Sequence, residues 1–409
     1  MRTRISLGTC IAILLAAMVG FGLAAPTGVR AKSGDGVFYA RPDGPAGELI
    51  AYGTSDGERR FALPVGRLST DERRYVAAER SGGETVLSTH DARTGILNHR
   101  WPMAGAWDLA GLSLSGRWVA LSRVPSDAVR EAWSAEGRWE TDVQIVDGER
   151  GEVTHALRLD GNFEVDALSI ASNALFLIEH RPAVDPDHYV IRFYDLAANA
   201  LQEGVLRDKR AEEVMTGLAW GGAASSDGRW LLTLYLDTRR TSAFVHALDV
   251  PHALPVCIDL PSGDGDMSLL RHYALTLSPE GDTAYATNPA LGVVAEIDLA
   301  SWQVVDVARF PARTPAANGA TPVQGVISGS GDQVAFASGS DVWVYDVHAR
   351  DVTGPYAVGA PVVGLGTDVP LHGPIGEEGQ RLYVALADRT SLVLDTTSGA
   401  RMAFDGDAV

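Results

Sequence analysis

A polar turn, a short apolar run and a second run that closes on aspartate recur seven times along this 409-residue chain, and no other feature restricts its fold so severely. The turns are "STDER" near Glu72, "LSGRW" at Gly116, "IASNA" at Asn173, "SSDGRW" at Gly228, "SPEGD" at Gly281, "GSGDQ" at Gly331 and "GEEGQR" at Gly379, spaced 44 to 57 residues apart. Each leads into an apolar run such as "WVALS", "WLLTLY" or "LYVALA". The next run ends on Asp91, Asp147, Asp195, Asp249, Asp298, Asp346 or Asp395. A strand-end aspartate folds its carboxylate onto the backbone of the following turn, so structure accounts for this residue type without catalysis.

A third alternating run, such as "VVDVARF" or "VTHALRL", follows each aspartate turn, and a run such as "YALTLS" precedes each polar turn. Four short strands in roughly 50 residues, repeated, is the pattern of a β-propeller blade, an all-β architecture. One blade leaves both faces of its sheet uncovered, so blades must pack on their neighbours and the ring must close. Seven blades are expected, with eight as the alternative, because residues 36–65 also hold the strand-like runs "VFYAR" and "ELIAYG" and an Asp-Gly turn at Asp56. From a strand-end aspartate to the next polar turn the repeats use 25 to 33 residues, against 16 from Asp56 to Glu72. On that spacing, residues 32–66 are closing or capping strands on the last blade and residues 67–409 are the propeller.

One unit carries a resemblance. "AYATN", followed by "VVAEIDLASWQVVDV", resembles the YVTN-type β-propeller repeat of bacterial proteins, in which a Tyr-Val-Thr-Asn strand end precedes a Val-x-Val-Ile-Asp strand. The other six units resemble WD-repeat-like or TolB-like blades with an "LSPDG"-type turn, although the Trp-Asp and Gly-His signatures of true WD repeats are missing. The resemblance spans residues 67–406 and implies fold rather than function.

Residues 1–31 have the features of an export signal: Arg2 and Arg4, an apolar run from Ile5 to Ala25, and small residues around Val29-Arg30-Ala31. Cleavage there removes three arginines and no acid, moving the formal charge from -18 to -21. Only two lysines, Lys32 and Lys209, are present, and the arginines are scattered among more numerous acids. Neutralising phosphates takes clustered cations, so nucleic acid and anionic membrane surfaces are excluded as expected partners, and no membrane insertion is expected after cleavage. Cys257 is the sole cysteine beyond the signal, so no intramolecular disulfide is available, and its apolar context "PVCIDL" suits a buried inert thiol.

In a propeller, the connections before the inner strand and between the second and third strands gather around one mouth of the central channel. The segments expected there include "SRVPSDAVREAWSAEGRWETD", "HRPAVDPDH", "DTRRT" and "NPALG", with the crossovers "HRWPMAGAWDLAG", "RDKRAEEVMTGLAW", "PSGDGDMSLLRHY" and "PARTPAANGATPVQG". Long loops on one side of a rigid scaffold are where binding concentrates. They carry Trp101, Trp107, Trp133, Trp139 and Trp220, with His180, His188, His272, Arg239, Arg240 and Arg271. Aromatic rings beside arginine suit a protein loop, a glycan or a small polar or anionic ligand. The expected ligand site is Trp133, Trp139, His188, Arg239, Arg240, Arg271 and His272.

No catalytic residue and no metal ligand is expected. "SGDGD", with Asp264 and Asp266, begins like a calcium loop but lacks the downstream bidentate glutamate, so calcium has only slight support. Nothing in the sequence fixes Asp185, Asp187 and His188 around a metal. Gly-rich phosphate loops, Gly-x-Ser-x-Gly elbows and His-Glu-x-x-His helices are absent. The expectation is an exported, monomeric, non-catalytic binding or scaffold propeller. The alternative is a propeller enzyme of lactonase or quinoprotein type.

Overall fold

The computed structural model describes residues 36–43, 47–124, 138–208, 215–313, 323–367 and 381–402. The chain builds eight consecutive antiparallel sheets, the blades of a β-propeller. The first has three described strands, β1 (Val37–Ala40), β2 (Leu49–Gly53) and β3 (Arg59–Leu63). Seven four-stranded blades follow. The second is β4 (Gly66–Leu68), β5 (Arg74–Ser81), β6 (Glu84–Asp91) and β7 (Leu97–Ala104), and the third β8 (Trp107–Leu112), β9 (Trp118–Arg123), β10 (Glu140–Asp147) and β11 (Glu152–Asp160). The fourth is β12 (Asn162–Ser169), β13 (Ala174–Arg181), β14 (His188–Asp195) and β15 (Ala200–Leu201), and the fifth β16 (Leu218–Ala224), β17 (Trp230–Asp237), β18 (Ser242–Asp249) and β19 (Leu254–Asp259). The helix α1 (Met267–Leu270) precedes the sixth, which is β20 (Ala274–Leu277), β21 (Thr283–Asn288), β22 (Val293–Asp298) and β23 (Gln303–Arg309). The seventh is β24 (Val323–Ile327), β25 (Gln333–Ser338), β26 (Asp341–Asp346) and β27 (Asp351–Ala357), and the eighth β28 (Val362–Thr367), β29 (Arg381–Leu386), β30 (Ser391–Asp395) and β31 (Arg401–Met402).

Local chemistry explains the repeat. Middle strands such as β21 and β25 are buried at every position but the first, because neighbouring blades cover both of their faces, so they read as unbroken apolar runs. All seven repeat aspartates end the third strand of their blade. Six accept backbone N–H groups of the next turn, as Asp91 does from Arg93 and Thr94 and Asp346 does from His348 and Ala349. Asp249 instead receives Arg229 and His252 side chains. The polar turns have their own clamp: the hydroxyls of Ser69, Ser113, Ser225, Ser278 and Ser328 each accept the N–H five residues on.

The eighth blade is the N-terminal segment, which corrects the expectation of seven blades and a cap. The turn Gly53–Glu58 carries the same two backbone hydrogen bonds as Asp91–Ile96, so Gly53 stands where other blades have aspartate. From Gly53 to Glu72 is six residues shorter than from Asp91 to Gly116. The difference lies in strand length alone: β3 has five residues against eight in β7, and β4 three against six in β8. The two-residue link from β3 to β4 matches that from β7 to β8, so β1, β2 and β3 fill the second, third and outer positions of a blade.

An apolar cluster lies in each of the eight blade interfaces, and those on either side of the first blade close the ring. Against the eighth blade, Phe38 stacks on Tyr52 and Tyr383 with ring centroids 5.5 and 5.4 Å apart. Against the second, Leu49 and Leu63 pack on Tyr75 and Ala77. Hydrogen bonds cross the closure as well, from Ser391 Oγ to the Gly57 carbonyl at 2.7 Å and from Tyr39 Oη to the Ala92 carbonyl at 2.6 Å. Among the described residues, no helix is long and apolar enough to cross a membrane.

Candidate functional site at the channel mouth

Antiparallel pairing within every blade puts the second-to-third-strand connections and the crossovers on one side of the ring. Trp133, with much of its loop, lies outside the described residues. Trp139 sits on that side at the entry to β10, 78% exposed. Its neighbour Arg138 fastens the loop to the fourth blade, donating from Nε to Asn162 Oδ1 at 2.9 Å and to the Phe163 carbonyl. His188 opens β14, with Nδ1 2.6 Å from Asp187 Oδ1. That hydrogen bond, then the charges of His188 and Arg239, hold the Asp187 carboxyl below its ordinary range. His188 and Arg239 come from consecutive blades, and the charge of each bears on Asp187.

Arg239 and Arg240 donate their backbone N–H groups to Asp237 Oδ1 at 2.9 and 3.2 Å, and Arg240 Nε lies 3.6 Å from Asp237 Oδ2. Arg271 caps α1, and its carbonyl accepts Trp220 Nε1 at 2.7 Å while its side chain faces solvent. His272 is buried with no partner at Nδ1, and burial followed by the Arg271 charge lowers its pKa.

Three of the tryptophans assigned to loops are in strands. Trp101 lies in β7, donates from Nε1 to the Gly148 carbonyl and packs its ring over Gly151 of the next blade. Trp107 is buried in β8, and Trp220 sits at a bulge in β16. Asp266 caps α1 by accepting the Ser268 N–H. Among the described residues, no three His, Cys, Asp or Glu side chains converge so as to hold a metal ion.

Beneath His188 and Arg239 the ring parts. Inner strands of successive blades lie side by side around much of the ring, but β12 and β16 scarcely touch. On the outer edge of β14, Leu206 and Met215 pair with Ile191 and Tyr189 and pack into the apolar contact with the fifth blade. In β16, Ala219 lies opposite Tyr235, Gly222 opposite Thr233 and Ala224 opposite Leu231, and all three small residues are exposed. Their side of the strand opens onto the cleft.

The facing wall is polar. In β12 a bulge between Val165 and Ala167 leaves Asp166 out of the ladder. Its Oδ2 is shut off from solvent and has no hydrogen-bond partner, although the residue as a whole is only half-buried. Burial, and then the neighbouring Glu164 charge, push this carboxyl up to about 7. Tyr189 stacks on Tyr235 at 5.1 Å and Tyr235 on Phe244 at 5.3 Å, and the Tyr189 hydroxyl, beside that of Tyr235, has no partner of hydrogen-bonding geometry. Burial raises both phenols well above their ordinary value, with the Asp166 charge adding to each. His180 Nε2 stands 3.3 Å from Glu164 Oε2, close enough for an ion pair but out of line for a hydrogen bond. Deeper in the same interface His246 is fully buried with neither ring nitrogen bonded, and desolvation lowers it to about 4, so it is neutral. Among the described residues, five of the thirteen buried side-chain atoms without a partner fall in this one interface, which makes it the strongest candidate site.

Only His180 among these groups stood out in the sequence. Glu164 and Asp166 could have been noticed as two acids on one face of an inner strand. In β8, where Ala110 occupies the bulge position of Asp166, Asp108 matches Glu164 and has an arginine, Arg80, 3.4 Å away. Asp166 has none.

No family model matches this chain, and no curated protein matches it. Among solved structures it is similar to dihydro-heme d1 dehydrogenase NirN in complex with DHE, with TM-score 0.54 and 12% identity over 90% of this chain and 72% of that one. It is also similar to the Dos1 propeller, with TM-score 0.50 and 9% identity over 85% of each chain. At such identities the likeness extends to the fold alone.

Proposed function

We propose that this chain is an exported binding propeller that takes a small polar ligand in the cleft between its fourth and fifth blades. The observation that carries this reading is the concentration of unpartnered polar atoms where two inner strands part. A buried polar group without a partner costs about 1–3 kcal/mol, so several in one cleft are explained by a ligand that completes them. His188, Arg239 and Arg240 form the rim above, with Trp139 to one side and Arg271 and His272 to the other. Export rests on the first 31 residues and on the acidic composition. The YVTN-type reading of the sixth blade is supported by Asn288, which ends β21, donates to the Leu269 carbonyl and accepts the Leu291 N–H.

One observation favours a second reading, catalysis. A carboxyl poised near neutrality beside two tyrosines has the makings of a general acid. The solved propellers similar in fold include a protein named as a dehydrogenase.

The binding reading is tested with thermal-shift and calorimetric screens of small amines, carboxylates and sugars against wild type, Ala219→Trp and Ala349→Trp. Ala219 is exposed opposite Tyr235, so an indole there fills the cleft, whereas Ala349 is exposed on the short-turn side. Hits lost in Ala219→Trp and kept in Ala349→Trp are expected. Hits unaffected by Ala219→Trp would remove the cleft from consideration.

A further inference from the structure

Resting on the binding reading above, we infer that the cleft selects a small organic cation, a ligand carrying a primary ammonium or amidinium group. Each wall contributes to this selectivity. Asp166 presents a carboxylate oxygen with no partner and no solvent, while Glu164 adds a second acid on the same strand face. The arginines of the blade are already engaged: Arg181 and Arg192 lie 2.8 and 2.6 Å from Glu179 Oε2. Leu177 and Leu175, on that same strand face, pack toward the third blade, so Glu179 and its arginines turn away from the cleft.

Tyr189, His180 and Glu164 stand beside Asp166 on the fourth blade, and across the cleft are Tyr235 and, deeper, Cys257 and the neutral His246. None of these is an arginine or a lysine, and His180 stands 3.3 Å from Glu164 Oε2. A carboxylate so placed attracts a cation or keeps its proton. An ammonium group supplies the donors that Asp166 Oδ2 and the Tyr189 hydroxyl lack. A metal ion fits less well, because no three ligating side chains converge among the described residues. An anion meets two acids.

The test uses the full chain and three probe pairs: butylamine, agmatine and tyramine, each against its uncharged N-acetyl counterpart, titrated by calorimetry near pH 7.5. At least one amine is expected to bind at least tenfold tighter than its acetylated form. Asp166→Asn is expected to lose at least tenfold of that affinity and Glu164→Gln a smaller factor. A melting curve for each variant separates lost binding from lost fold, and Glu164→Gln, at an exposed residue, serves should Asp166→Asn fail to fold. Equal binding of amine and N-acetyl forms, or amine affinity unchanged in a folded Asp166→Asn or in Glu164→Gln, overturns the inference. Tight binding of carboxylates that Ala219→Trp abolishes would overturn it while leaving the binding reading intact. Calcium or zinc binding that Asp166→Asn removes, with no amine bound, would also overturn it.

Discussion

Replacing Asp166 by asparagine should change how stability depends on pH, and by an amount set by its surroundings. The carboxyl ionises near 3.8 in an unfolded chain and near 7 in the fold, where burial and then Glu164 oppose its charge. Below pH 4 both states hold the proton and no penalty exists. Between the two values the folded state retains a proton that the unfolded state has lost, so stability falls by up to about 1.4 kcal/mol for each step of one in pH. Above 7 both are ionised and the full penalty is in place, about 4 kcal/mol over the interval from 3.8 to about 7. The contribution is therefore present in acid and lost as pH rises through 7.

Asparagine keeps the shape and removes the titration. Urea unfolding of wild type and Asp166→Asn from pH 5 to 8 isolates the effect, since Glu164, His180, Tyr189, Tyr235, His246 and Cys257 are common to both proteins. The stability of the variant relative to wild type should grow by about 3 kcal/mol across that range. A difference that stays flat with pH would refute the claim that this carboxylate is buried without a cationic partner.

Further tests reach other levels of the account. Deleting residues 36–63 strips the closure of Phe38, Leu49, Ile50, Tyr52 and Leu63, which at about 2 kcal/mol per buried side chain removes on the order of 10 kcal/mol; an unchanged melting temperature would show that the ring does not need this blade. Gly151 and Gly204 both have positive φ, but a Cβ on Gly151 meets the Trp101 ring and one on Gly204 meets nothing. Gly204→Ala should cost about 1 kcal/mol and Gly151→Ala at least twice that, so equal costs would count against the blade-to-blade contact. Intact-mass measurement after expression in a bacterial host should find a mature protein beginning near Lys32, and full-length protein in the cytoplasm would contradict export.

Strands, turns and the strand-end aspartates were legible because they are local. A turn needs its Asp or Ser within a few residues, and a covered strand needs its apolar run. The first blade was misread for the same reason. Gly53 has replaced the aspartate that marks every other blade, and β3 and β4 are short, so the spacing pointed to a cap. Trp101 and Trp107 looked like loop residues because an outer strand running almost directly into the next inner strand resembles one long crossover.

The cleft was less visible. In "NFEVDALS" the alternation of Phe163 and Val165 with Glu164 and Asp166 reads as a strand with one solvated face. That face turns toward Tyr235 and stands apart from β16, both far along the chain. Neither relation is written in the local sequence.

Binding between the fourth and fifth blades is tested most directly by crystals of the full chain soaked with butylamine, agmatine and tyramine. Ligand density between β12 and β16, within hydrogen-bonding distance of Asp166 and against Tyr235, is the predicted result. Density confined to the short-turn side of the ring, or a cleft filled by the protein's own side chains, would contradict it.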